Sequence, residues 1–232
     1  MGEMEKATLE KDGNSLPYQW TRTGDGDSPS LVLFLHGAGE RGNNNRSQVR
    51  HGVPDLLKWL KQKKEDCVVV APQCPTEKWW SHSDGDFRNS AVLTMRKNPS
   101  PPMEMVFTVL DQLVKKHGVD PSRIYITGLS MGGYGSFDAV ARRPDFFAAA
   151  IPICGGGDSK TAEKMKDVPM WIFHGDADNV VPVGMSQAMV KALKKAGATP
   201  KYTEYPGVGH NSWSQTYRNP EVWAWMFSQK KK

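Results

Sequence analysis

Short β-branched and apolar runs alternate along the chain with longer segments whose apolar positions recur every three or four residues. The short runs are 31–35, 68–71, 124–127, 148–153, 170–173 and 202–205. Continuous apolar strands of this length suit a parallel sheet buried on both faces. The periodic segments are 54–64, 103–117, 131–143, 159–166, 183–196 and 220–228. In the second of them Met103, Val106, Phe107, Leu110, Leu113 and Val114 fall on one stripe, the spacing of a helix packed on a core. Gly118 and Gly197 follow two of these segments where a C-cap glycine belongs. Strand and helix in alternation predict an α/β architecture: a mostly parallel sheet with right-handed crossovers and helices on both faces. The first thirty residues alternate loosely around Asp12-Gly13-Asn14, which predicts an antiparallel N-terminal hairpin at the sheet edge. One domain over 1–232 is expected, with 1–10 and 229–232 as flexible ends. Residues 76–102 are rich in Ser, Asp, Asn and Pro and carry Trp79, Trp80 and Phe87. They read as a long excursion over one sheet end, with room for a short helix, and loops of this length are often functional.

Composition narrows the class. Of 232 residues 38% are hydrophobic and 24% charged, too apolar for a disordered chain, and no repeat period emerges. The longest apolar run, 146–154, falls well short of the ~20 residues of a bilayer span. The net charge of +5 invites a polyanion, yet the excess is local: Lys230, Lys231 and Lys232 form a tail, and Lys61, Lys63 and Lys64 crowd one helix end. Lysines there suit the helix dipole and solvent, so no nucleic-acid partner is expected. Cys67, Cys74 and Cys154 are too few and too scattered for a disulfide framework or a zinc site, although the spacing is compatible with one disulfide plus a free thiol. Residues 1–16 lack the apolar core of a secretory leader, so the chain as written is expected in the cytoplasm.

The most informative segment is Gly128-Leu129-Ser130-Met131-Gly132. This Gly-x-Ser-x-Gly pattern follows an apolar strand and precedes a helix, the context of a nucleophile elbow. A strand turning directly into a helix strains the turn residue and presses its neighbours together, and glycines without Cβ make the room. The serine oxygen then projects above the sheet, with the Met131 N–H aimed where an oxyanion would form.

A serine needs a base to react at neutral pH, and the base needs an orienting acid. Residues 171–182 end a later strand with two carboxylates, Asp176 and Asp178; residues 205–213 follow the last strand and hold His210 between glycine-rich flanks. Asp176 comes directly after the strand and suits capping its own turn, which leaves Asp178 with the reach to meet the imidazole. His36 and His174 end strands before glycine and are expected to brace loops, His117 suits a helix C-terminus, and His51 and His82 lie in polar loops. All three candidates, Ser130, Asp178 and His210, follow strand C-terminal ends, where ligands bind in parallel sheets. The loop 36–42 supplies a second oxyanion donor, assigned to the Ala38 N–H with Gly39 next; Glu40 and Arg41 are expected to pair and pin this loop. Trp79, Trp80 and Trp213 are candidates for an apolar pocket wall.

Residues 31–42, 68–75, 120–158, 174–182 and 205–213 together resemble the α/β-hydrolase superfamily of small serine carboxylesterases. The nearest branch spans phospholipase/carboxylesterases, predicted peptidases and feruloyl or acetylxylan esterases. The resemblance implies an α/β-hydrolase fold, a Ser130–Asp178–His210 triad and an oxyanion hole at Ala38 and Met131. Expected substrates are small carboxylic esters, including acyl groups on a polysaccharide, with no metal and no cofactor. An amide or peptide hydrolase on the same triad is the first alternative. A silent binding module is the second, although such modules usually lose a triad member and this chain has all three.

Overall fold

The computed structural model describes residues 4–231. In chain order its strands are β1 (Glu5–Lys11), β2 (Asn14–Arg22), β3 (Ser30–Leu35), β4 (Cys67–Pro72), the two-residue pair β5 (Ser83–Asp84) and β6 (Thr94–Met95), β7 (Ile124–Leu129), β8 (Ala149–Ile153), β9 (Trp171–Gly175) and β10 (Lys201–Tyr205). The helices are α1 (Val53–Lys63), α2 (Pro101–His117), α3 (Met131–Arg142), α4 (Ala162–Met165), α5 (Gly184–Lys195), α6 (Trp213–Arg218) and α7 (Pro220–Ser228).

Eight strands form one sheet in the order β1-β2-β4-β3-β7-β8-β9-β10, antiparallel from β1 to β4 and parallel onward. The N-terminal hairpin turns at Asp12 and Gly13, both at positive φ (52° and 74°), as a tight two-residue turn requires. Every residue of β3, β4, β7 and β8 is buried, which is why these strands read as unbroken apolar runs. β10 is the half-exposed edge, so its polar interruptions are tolerated. The stripe of α2 packs with α3 and α5 on one sheet face, while α1, α6 and α7 pack on the other around Trp59, Tyr217 and Trp223.

Several expectations are corrected. The segment 159–166 yields only a 3-10 turn and the four-residue α4. The excursion 76–102 holds the β5–β6 ribbon and no helix of its own before α2 begins at Pro101. A buried ion pair fastens it to the body: Asp138 accepts from the His82 N–H at 3.2 Å and from Arg142 Nε at 2.6 Å, and Arg142 also donates to the Lys97 and Arg96 carbonyls. Such polar anchors do not show in hydrophobic periodicity. The ends are also tied down. Glu5–Lys11 is a full strand, the Gln229 carbonyl accepts from Tyr125 at 2.8 Å, and the Lys231 N–H donates to Ser122 O; residues 1–3 and 232 lie outside the described residues. All three cysteines are buried and free. No helix among the described residues is long and apolar enough to cross a membrane.

Candidate active site

β7 stops at Leu129 and α3 starts at Met131, which leaves Ser130 alone in the turn at φ 53° and ψ −116°. That conformation costs a non-glycine residue on the order of 1–3 kcal/mol, so its surroundings must enforce it. The Ser130 N–H donates to Ile153 O at 2.9 Å, and the Ser130 carbonyl accepts from the Tyr134 N–H at 3.1 Å. A Cβ on Gly132 would collide with the Leu35 carbonyl, and one on Gly128 with the Gly132 carbonyl. The end of β3, the turn and the first turn of α3 thus meet at backbone contact, and only glycine at both flanks allows it.

The structure brings Asp178 and His210 to this serine. His210 Nε2 lies 3.0 Å from Ser130 Oγ and its Nδ1 2.7 Å from Asp178 Oδ2. Two loops cross to make this approach: a Cβ on Gly175 would strike the Val208 carbonyl, and the Ala177 N–H donates to that same carbonyl at 3.1 Å. Asp176, expected to cap its own turn, instead accepts from the Gly207 N–H at 2.7 Å and ties down the His210 loop. The Asp178 carboxylate is fully buried. Burial pushes its pKa up, but hydrogen bonds from His174, His210 and the Val180 and Val181 amides outweigh this and hold it well below the usual carboxylate range.

The remaining histidines divide by environment. His174 is fully buried, with Nδ1 2.7 Å from Ser186 Oγ and Nε2 2.9 Å from Val181 O. His117 packs on Trp20 at 4.8 Å between ring centroids, and burial lowers its pKa, so it is a poor match for the dipole cation expected. His36 bridges strand ends: its Nε2 accepts from the Cys74 N–H at 2.9 Å and its Nδ1 meets Gly37 O at 2.6 Å. Burial lowers the His36 pKa from 6.5 to about 4. The unfolded chain therefore takes up this proton first, so the stability supplied by the neutral ring is complete above about pH 6.5 and is lost as pH falls toward 4. Denaturant titrations between pH 7 and pH 4 are expected to lose roughly 3 kcal/mol from this group. His36→Gln should flatten the slope in that window, and an unchanged slope would reject the assignment.

Ala38 opens a 3-10 turn and Met131 opens α3; among the described residues neither backbone N–H has an acceptor. Both amides therefore remain available to an incoming oxygen. The expected Glu40–Arg41 pair does not form. Glu40 lies 3.6 Å from His51 Nε2, while Arg41 Nε donates to Ala38 O at 3.0 Å and its guanidinium sits 5.8 Å from the Trp79 ring. Arg41 thus clamps the turn by its own backbone instead of through its neighbour.

The three tryptophans separate. Trp80 is wholly buried: its indole N–H donates to His36 O at 3.1 Å, and its Cβ fills the space beside Gly135. It is a core pin and not a pocket wall. Trp79 lines a cavity of about 520 Å³ with Phe87, Leu93, Lys78 and Arg96. Tyr134, one turn along α3 from Ser130, closes that cavity and donates from its hydroxyl to Phe87 O. Trp213 packs edge-on against His210 at 5.3 Å between ring centroids. Cys154, at φ 40°, comes within 4.8 Å of Asp178 and His210; burial raises its pKa, so the thiol stays protonated.

A mostly parallel sheet with a strained serine at a strand–helix turn, hydrogen-bonded to a histidine that is in turn hydrogen-bonded to an aspartate, both from later strand ends, defines an α/β-hydrolase. The chain belongs to the phospholipase/carboxylesterase family, which matches residues 19–219, and so to the carboxylic ester hydrolases. The carboxylesterase SOBER1 of Arabidopsis thaliana is 26% identical over 210 residues, covering 84% of this chain and 89% of that protein. Acyl-protein thioesterase 1 of Neurospora crassa is 26% identical over 79% of this chain and 80% of its own length. Among solved structures, that of a thermostable esterase superposes with a TM-score of 0.87 at 40% identity over 98% of this chain. This chain spans 63% of the length of that esterase.

Proposed function

We propose that this chain hydrolyses small carboxylic esters through an acyl-enzyme on Ser130. As Ser130 Oγ attacks the ester carbonyl carbon, His210 Nε2 takes its proton, and Asp178 holds the imidazole tautomer and stabilises the imidazolium. The Ala38 and Met131 N–H groups receive the oxyanion of the tetrahedral intermediate. Collapse breaks the bond to the leaving alkoxide, which takes the proton from His210. Water then attacks the acyl-enzyme, giving its proton to His210, and the second intermediate releases the acid as Ser130 Oγ recovers a proton. What supports this reading above all is the relay itself, 3.0 Å from hydroxyl to imidazole and 2.7 Å from imidazole to carboxylate. Ser130 and His210 do not line the cavity of Trp79 and Phe87, but Tyr134, which does, bonds the Ser130 carbonyl through its N–H, and we assign this cavity to the larger side of the ester. Aryl esters and acyl groups carried on a sugar are therefore the substrate classes to compare.

Incubation with a fluorophosphonate is expected to place a phosphonyl group on Ser130, found by peptide mass, with parallel loss of p-nitrophenyl acetate hydrolysis. In a panel of acetate, ferulate and acylated-sugar esters against a peptide amide, turnover of at least one ester should exceed the amide by orders of magnitude. An unlabelled, fully active protein, or a preference for the amide, would overturn the reading.

A further inference from the structure

Asp178 is satisfied by more than His210. Its Oδ1 accepts from the Val180 N–H at 2.8 Å and the Val181 N–H at 2.9 Å, and its Oδ2, besides receiving His210 Nδ1, lies 3.2 Å from His174 Nε2. Three N–H donors hydrogen-bond this carboxylate, and the His174 Nε2–H, which donates to Val181 O at 2.9 Å, stands beside Oδ2 as a fourth polar neighbour. We propose that His174 is a positioning residue of this site, its Nε2–H steadying the same carboxylate oxygen, Oδ2, that accepts from His210 Nδ1; this rests on the triad reading above.

The hydrogen-bond inventory fixes the ring. Nε2 faces only acceptors, Val181 O at 2.9 Å and the Asp178 carboxylate at 3.2 Å, so Nε2 must carry hydrogen. Nδ1 faces Ser186 Oγ on α5 at 2.7 Å, and that hydroxyl also lies 2.9 Å from the Gly155 carbonyl. If the serine proton points to Nδ1, the ring is neutral; if it points to Gly155, Nδ1 donates as well. Either arrangement keeps hydrogen on Nε2, donated to Val181 O with Asp178 Oδ2 3.2 Å away. The ring is anchored by β9, α5 and the loop after β8 at once, and it is wholly excluded from solvent. A buried imidazole with every nitrogen partnered, whose Nε2–H lies 3.2 Å from the acid of the triad, is more than a loop brace. It places a polar N–H beside the charge on Asp178 Oδ2, and by holding Val181 O it fixes the turn whose Val180 and Val181 amides keep the carboxylate turned toward His210. Tyr134, Cys154 and Glu204 also face this pair, and they are unchanged in the variants below.

The test uses the full chain with His174→Leu, His174→Gln and Ser186→Ala, measuring kcat and KM on a p-nitrophenyl ester across the pH range, with thermal unfolding to establish folding. Removing the Nε2 donor concentrates charge on the oxygen that His210 uses, so the imidazolium persists to higher pH. For His174→Leu the acid limb of kcat should move up by roughly half a unit to one unit, with kcat lowered about tenfold and KM nearly unchanged. His174→Gln, whose amide N–H reaches the place of Nε2, should recover most of both. Ser186→Ala frees the ring and should give a smaller shift of the same sign. A folded His174→Leu with an unmoved acid limb, or Gln and Leu variants that behave alike, overturns the inference. If His174→Leu does not fold, an unmoved limb in Ser186→Ala does so. These outcomes differ from failure of the triad reading, which would appear as retained turnover in Ser130→Ala.

Discussion

Ser130→Ala is expected to lower kcat on a p-nitrophenyl ester by about five orders of magnitude while leaving the protein folded. Everything else in the site would survive the change. The Ala38 and Met131 amides would still polarise a carbonyl, so a residual rate of roughly a thousandfold over water should persist. KM should change little, since Oγ forms its new bond only on the way to the transition state. Stability is the informative control. Ser130 Oγ has His210 Nε2 as its partner, and the side chain does not cap α3. The strained φ of 53° is imposed by the Ile153 and Tyr134 hydrogen bonds and by the glycine contacts with β3, none of which involves the hydroxyl. Unfolding free energies of the two proteins should agree within about 1 kcal/mol. A folded variant retaining more than a hundredth of the parent activity would remove Ser130 from the mechanism.

The parts of the molecule legible in the sequence are those whose physics is local. The buried strands β3, β4, β7 and β8 reveal themselves because burial on both faces forbids polar positions, and the turn at Ser130 because only glycine fits between Leu35 and the first turn of α3. Asp178 and His210 are reachable by chain order combined with the rule that strand C-termini carry the chemistry. What escapes is set by contacts between distant residues. Trp79 and Trp80 are adjacent and chemically identical, yet one faces a cavity and the other donates to His36 O, a difference decided by the packing of Gly135. Glu40 finds His51 and not Arg41 because Arg41 is drawn back to Ala38 O. The second imidazole on Asp178 depends on Ser186 of α5, and no spacing rule joins a strand-end histidine to a serine in the helix that follows.

The second large effect follows from the crowding of donors at Asp178. Here the Val180 and Val181 amides meet Oδ1, and His210 and His174 approach Oδ2. The NH₂ of Asp178→Asn therefore opposes N–H donors whichever way it is turned. Pointed toward Val180 and Val181, it breaks the turn that carries the residue. Pointed toward the imidazoles, it drives His210 to the tautomer with hydrogen on Nε2, and that nitrogen can no longer accept the Ser130 proton. Turnover is expected to fall by about 10⁴ in either case, and burying mismatched donors should cost on the order of 1–3 kcal/mol of stability. The low pKa of Asp178 adds a signature with a definite sign. In the parent, the stability it contributes is complete above the ordinary carboxylate range and is lost only as pH falls through its depressed value; in the variant this acid-side loss is absent. Asp176→Asn is the matched control: that carboxylate is exposed and accepts one N–H from Gly207, a bond an amide oxygen can keep. Activity there should stay within about threefold of the parent, measured as kcat/KM on the same ester. Equal losses in the two variants would mean that the region responds to any lost carboxylate, and the role assigned to Asp178 would fall.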